Sequence, residues 1–202
     1  MSEVAIATMA ADAHRFWKRG WMLGTCGNLS VKLKDDPLEM LVSASGVDKS
    51  RLSAQDFLRV GAGLELLAPS RHRPSSEVTV HEVVYRRTRA RAVYHVHSVW
   101  NNLASELARD RIELTGVEMT KGLAGIHLGD PVLLPVVDNA RDMQELAKNV
   151  EAGLDERYPA VVVRLHGVYS WGADLDEARR HVEVIEFLLE YYGRAAGISA
   201  VR

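Results

Sequence analysis

AVYHVHS, residues 92–98, is the stretch whose reading decides this chain. Valine and tyrosine in a short apolar run favour an extended strand. Side chains alternate along a strand, so His95 and His97 share one side, with Cα atoms about 6.6 Å apart. Two readings follow. In one, Tyr94 and Val96 are core residues and the histidines form the wet face of a half-buried strand. In the other, the two imidazoles are half of a metal site, each about 2.0–2.1 Å from one cation. The choice depends on whether the chain supplies a third ligand, an anion site and an acid or base.

Working outward, helical patterns flank the strand. Before it, PSSEVTVHEVVYRRTR places Val80, Val83 and Val84 on one face, predicting a helix over 76–89. After it, VWNNLASELAR reads as a helix. The same alternation extends both ways. Residues 4–19 predict a helix stopped at Gly20, 29–33 and 39–44 predict a strand hairpin, and SGVDKSRLSAQDFLRV reads as a turn, a short helix and a strand start. PVLLPVV is a further strand. NARDMQELAKNVEAGL is a helix that Asn139 could cap. AVVVRLHGVYSWG is a strand pair or one bent strand broken at Gly167. The last helix has Asp174 and Glu177 at capping-box spacing and Gly193 as a stop. This alternation is α/β or α+β, with no repeat or linker, so one domain over 1–202 is expected.

The totals exclude several classes. The chain is 47% hydrophobic and 26% charged, with a net charge of -2, which gives no bulk attraction to nucleic acid or anionic membrane. No apolar run approaches the roughly 20 residues that span a bilayer. The first twenty residues lack a basic start followed by an apolar block, so no signal peptide is read. A single cysteine, Cys26, excludes an internal disulfide framework. A soluble cytoplasmic protein is expected.

His166 ends the Val-rich run VVVRLHG and precedes a glycine, at a sheet edge where ligands collect. It is a third ligand or a surface residue at a strand end. Ser75 and Ser76 follow Pro74 at a helix start, where backbone N–H groups suit an anion. The loops GTCGNLS and SASGVDKS carry Gly27, Asn28, Ser45 and Gly46, and suit either an anion or a simple turn. Glu77, in the first helical turn, complements the helix dipole or acts as acid/base. Glu118, in LTGVEMTKG, is a solvated loop charge or a tuned acid/base. Cys26 reads as a small loop residue.

In order and spacing, GNLS, SASG, PSSE, HVHS, EMTKG and LHGVYSWG resemble the class II aldolase/adducin family, over about residues 10–193. EMTKGLAG, VVDNARDM and HGVYSWG point to dehydratases within it. The resemblance implies a three-layer α/β/α sandwich around a mostly antiparallel central sheet, in a homotetramer with sites near subunit interfaces. It implies that His95, His97 and His166 hold one divalent metal per subunit, commonly zinc. It implies that Gly27, Asn28, Ser45, Gly46, Ser75 and Ser76 cradle a sugar phosphate. In the family's aldolases the residue matching Glu77 serves the metal site and acid/base chemistry. In its dehydratases the residue matching Glu118 is the acid/base. Aldolases, epimerases and the non-catalytic adducin head share the family, and the last predicts lost metal ligands.

Overall fold

A computed structural model describes residues 2–199; the expected single domain over 1–202 reaches past them at both ends. The described elements are α1 (Ser2–Lys18), β1 (Asn28–Lys34), β2 (Glu39–Ser43), β3 (Phe57–Gly61), α2 (Val78–Arg87), β4 (Ala92–Val96) and α3 (Val99–Leu107). They continue with β5 (Arg111–Glu113), β6 (Leu133–Val137), α4 (Met143–Gly153), β7 (Ala160–Val163), β8 (Gly167–Gly172) and α5 (Leu175–Ser199). The strands form one sheet in the order β3-β2-β1-β4-β8-β7-β6-β5. Every neighbouring pair is antiparallel except β6 and β7. A parallel pair needs a crossover, and α4 supplies it.

Both faces of the sheet are covered. Met9, Ala13 and Phe16 of α1, Ala104 of α3, and Val182, Ile185 and Leu189 of α5 bury against one face. Val80 and Val84 of α2 and Leu146 and Val150 of α4 bury against the other. Each of these side chains larger than alanine contributes roughly 1.5–3 kcal/mol. This is the expected three-layer sandwich. Double coverage also explains why β4 and β7 are buried at every position. Of the two readings of β4, the wet histidine face is excluded: Tyr94, His95 and Val96 are all fully buried.

Several local expectations shift. Asp142, not Asn139, caps α4, accepting from the Gln144 and Glu145 N–H groups. Asp174 does accept from Glu177 N at 2.8 Å, as its spacing predicts. Gly193 does not stop α5, which runs on to Ser199 with Gly193 against the Trp100 ring. The expected short helix after β2 is two separate 3-10 turns, Lys49–Arg51 and Ala54–Asp56. AVVVRLHGVYSWG is a strand pair, but the chain reverses at 164–166, where Leu165 has φ 51°, and Gly167 begins β8. The three-residue β5 was not expected, being too short to show periodicity.

Candidate metal centre

Four side chains meet at one end of the sheet. His95 lies at the end of β4, and His97 follows it. His166 sits in the β7–β8 turn, and Glu77 immediately precedes α2. Their ligand atoms all lie within 4.8 Å of one another. Atoms bound to one cation at about 2.0–2.1 Å lie within about 4 Å of one another, so the cluster is close to that size. His95 Nε2 and His97 Nε2 are 2.7 Å apart, and His166 Nε2 is 3.0 Å from Glu77 Oε1.

The surroundings turn these nitrogens inward. His95 Nδ1 donates to the Val168 carbonyl at 3.1 Å, which leaves the Nε2 lone pair facing the cluster. His166 Nδ1 meets Asn139 Oδ1 at 3.2 Å, which fixes that ring with Nε2 toward Glu77. Anchoring one imidazole nitrogen on an oxygen so that the other can bind is characteristic of metal-ligating histidines. Tyr169 stacks on His95 with ring centroids 3.9 Å apart, fixing the ring plane. Asn28, paired with His95 across β1 and β4, donates to Glu77 Oε2 at 2.7 Å. Gly167 is packed so closely that a Cβ would come within 2.6 Å of the Val96 carbonyl and 2.8–2.9 Å of both strand histidines.

The electrostatics suit a cation. Burial, then the neighbouring His97, push the His95 imidazole well below its ordinary value. Burial, then His166, lower His97 to about 4. Both are therefore neutral at pH 7, the form that binds metal. Burial disfavours the Glu77 carboxylate, but the His166 hydrogen bond and the adjacent imidazoles outweigh it and hold the carboxyl well below the usual range. Three imidazoles and one carboxylate fit a divalent cation of the borderline class that includes zinc.

The six expected anion-site residues gather beside this cluster. Ala44 bridges to Pro74, bringing Ser45 and Gly46 beside Ser75 and Ser76. Gly27 and Asn28 lead into β1 next to β4. Ser75 Oγ donates to Glu77 Oε2 at 3.4 Å. Gly27 has φ 77°, and a Cβ there would come within 2.8 Å of the His95 carbonyl, so only glycine fits. Cys26 is an exposed loop residue.

Glu118 stands apart. It opens a 3-10 turn, Glu118–Gly122, packed on α5 in the layer across the sheet from α2. Its side chain is 69% exposed and pairs with Lys121 at 2.6 Å. In one copy of the chain it is outside the cluster. Two residues near the site had escaped notice. Asn139 read as a helix cap because Asn before a helical run usually is one. Lys49, 1% exposed, lies within SGVDKS, and nothing in its local spacing marks it.

The fold and cluster together define an α/β/α domain with a candidate divalent-metal centre at one end of its sheet. The profile of the Class II Aldolase and Adducin N-terminal domain matches residues 7–192, and the chain belongs to that family, whose class II aldolases are metal-dependent. The chain is 36% identical over 179 residues to methylthioribulose-1-phosphate dehydratase of Persephonella marina, covering 88% of this chain and 83% of that one. It is 39% identical over 199 residues to the Microcystis aeruginosa protein of the same name, covering 95% of each. Among solved structures, L-fuculose-1-phosphate aldolase of Thermus thermophilus superimposes with a TM-score of 0.75 at 27% identity, covering 100% of this chain and 97% of that one. Among the described residues, no helix is long and apolar enough to cross a membrane.

Proposed function

We propose that this protein is a metal-dependent hydro-lyase that converts 5-methylthioribulose 1-phosphate to 5-methylthio-2,3-dioxopentyl phosphate and water, a step of methionine salvage. The observation that carries this reading is its similarity, over nearly its whole length, to dehydratases of that substrate. The cluster supplies matching chemistry. His95, His97 and His166, with Glu77 beside them, would hold one zinc or similar divalent ion per subunit. The bound cation would act as a Lewis acid on the substrate's C2 carbonyl, making the C3 proton acidic.

This chain's residues do the rest. Gly27, Asn28, Ser45, Gly46, Ser75 and Ser76 hold the phosphate, so that binding energy positions the far end of the molecule. Glu118 takes the C3 proton, and the C4 hydroxyl leaves as water after protonation by the same carboxyl or a water it orients. The resulting enol becomes the 2,3-diketone. Because Glu118 lies outside the cluster of its own chain, it would serve the site of a neighbouring copy in a cytoplasmic homotetramer. The apolar side chains of Val99, Leu103 and Leu107, spaced by one helical turn on α3 and exposed, favour such packing near the site.

A second reading is a sugar-phosphate aldolase or epimerase. Glu77 within the cluster and the likeness to the Thermus aldolase favour it. Products decide between the readings: a diketone, or a three-carbon phosphate plus an aldehyde. The test is turnover of 5-methylthioribulose 1-phosphate by metal-loaded protein, followed by ultraviolet absorbance. A metal-dependent signal lost in His95→Ala supports the dehydratase, and no signal from metal-loaded protein rejects that substrate. Glu118→Gln should abolish turnover with metal content unchanged, and full activity would remove Glu118 from the mechanism.

A further inference from the structure

We propose that the Lys49 ammonium is the buried counter-charge of the substrate's phosphate, tying together the loops that hold it; this rests on the sugar-phosphate reading above. Lysine is almost never fully buried without a partner of opposite charge. Lys49 is 1% exposed, and its Nζ donates to three backbone carbonyls: Thr25 and Val47 at 3.0 Å and Ala44 at 3.3 Å. These acceptors satisfy its three protons but carry no net charge. Among the described residues no carboxylate forms an ion pair with it.

The acidic groups that face it are engaged elsewhere. Asp48 accepts from Ser50 N and pairs with Arg51. Asp56 closes a capping box with Ser53 and pairs with His72. Glu77 is bound to His166 and Asn28. Cys26 is the remaining titratable neighbour. A desolvated cation with no counter-ion is costly, so a site that retains one is built for an anion that arrives later.

The carbonyls it gathers place that charge among the expected anion loops. Thr25 stands two residues before Gly27, Ala44 and Val47 flank Ser45–Gly46, and Ala44 bridges to Pro74 beside Ser75–Ser76. One ammonium thus ties the first two loops and reaches the third through the bridge. Burial lowers its pKa to about 8, so it remains mostly charged at pH 7.

The test compares the unmodified protein with Lys49→Gln, which keeps a donor but not the charge, and Lys49→Arg, which keeps the charge. Inorganic phosphate is titrated calorimetrically at pH 7 into metal-loaded protein and again after chelator treatment, which isolates binding that needs no cation. Metal affinity and Tm are measured alongside. Phosphate affinity should fall at least about tenfold in Lys49→Gln, as expected for loss of a unit charge within about 10 Å of an anion. It should recover substantially in Lys49→Arg, with metal affinity unchanged in both. In turnover, KM should rise more than kcat falls. Unchanged phosphate affinity in a folded Lys49→Gln protein overturns the assignment. So does a loss in both variants accompanied by weaker metal binding, which marks simple collapse of the loops, and so does absence of phosphate binding to the unmodified protein. Phosphate binding that depends on Lys49, without turnover of 5-methylthioribulose 1-phosphate, overturns the proposed reaction and leaves this assignment standing.

Discussion

Replacing Gly167 by alanine adds one methyl group at the most crowded point of the metal centre. The new Cβ would lie 2.6 Å from the Val96 carbonyl oxygen, 2.8 Å from His97 Cδ2 and 2.9 Å from His95 Cε1. All three are below any tolerable contact, and the first is backbone of β4, between the two histidines. The crowding cannot be relieved by a side-chain rotation alone, so β8 must move away from β4 or the imidazoles must turn. Overpacking of this kind costs about 1–3 kcal/mol. For a chain of this size that is a fall of roughly 2–4 °C in Tm per kcal/mol. The displaced rings should also lose metal affinity by about 10–100-fold, as when a ligand's supporting contacts are removed. Thermal melts of the metal-free protein read the first effect, and competition with a chromophoric chelator reads the second. Gly197→Ala is the control, because a Cβ there meets nothing within 4 Å. If Gly167→Ala matched the unmodified protein in both Tm and metal affinity, the argument that this glycine makes room for the histidines would be refuted.

Other outcomes follow from the buried ionisable groups. Metal-free protein should lose stability as pH falls from about 6.5 toward about 3. His97 and His81 are lowered to about 4 and about 3, mainly by burial, so the unfolded chain takes up protons that the folded one refuses. A denaturation midpoint independent of pH across that window would contradict it. Protons should release the metal over the same range, since they compete for the same nitrogens; equilibrium dialysis at pH 7 and pH 4.5 measures this. Glu186 behaves oppositely. Burial lifts its carboxyl to about 7, so its contribution is intact below about 4.5 and lost as pH rises through about 7. Glu186→Gln should therefore gain about 3 kcal/mol relative to the unmodified protein at pH 9 over the difference at pH 4. Melts showing the same offset at both pH values would rule that out.

Much of the architecture was legible in the chain because it is written in local periodicity. The 3.6-residue spacing of Val80 and Val84, and the short Val-rich runs of β4 and β7, give element type without reference to anything distant. The three-layer arrangement and the roles of the histidines rested on the resemblance of ordered short motifs. Tertiary structure had to supply the rest. Asn139 was misread because a helix cap and a histidine anchor use the same side-chain oxygen, and only the position of His166 distinguishes them. Motif order along the chain brought Glu118 to attention, and only packing on α5 shows that it lies across the sheet from α2, outside the cluster of its own chain.

The sequence by itself determined the residue types, their alternation and the short spacings that bring His95 and His97 to one side of a strand. These depend on backbone geometry that repeats every two residues or every 3.6. The convergence of His95 with Glu77 and His166, the inward turn of their nitrogens and the burial of Lys49 belong to the tertiary structure alone. They join residues 18, 71 and 24 positions or more apart, through contacts such as Glu77 with His166, Val168 with His95 and Thr25 with Lys49. Such contacts form only when strands from distant parts of the chain pair and exclude water, so no local pattern records them.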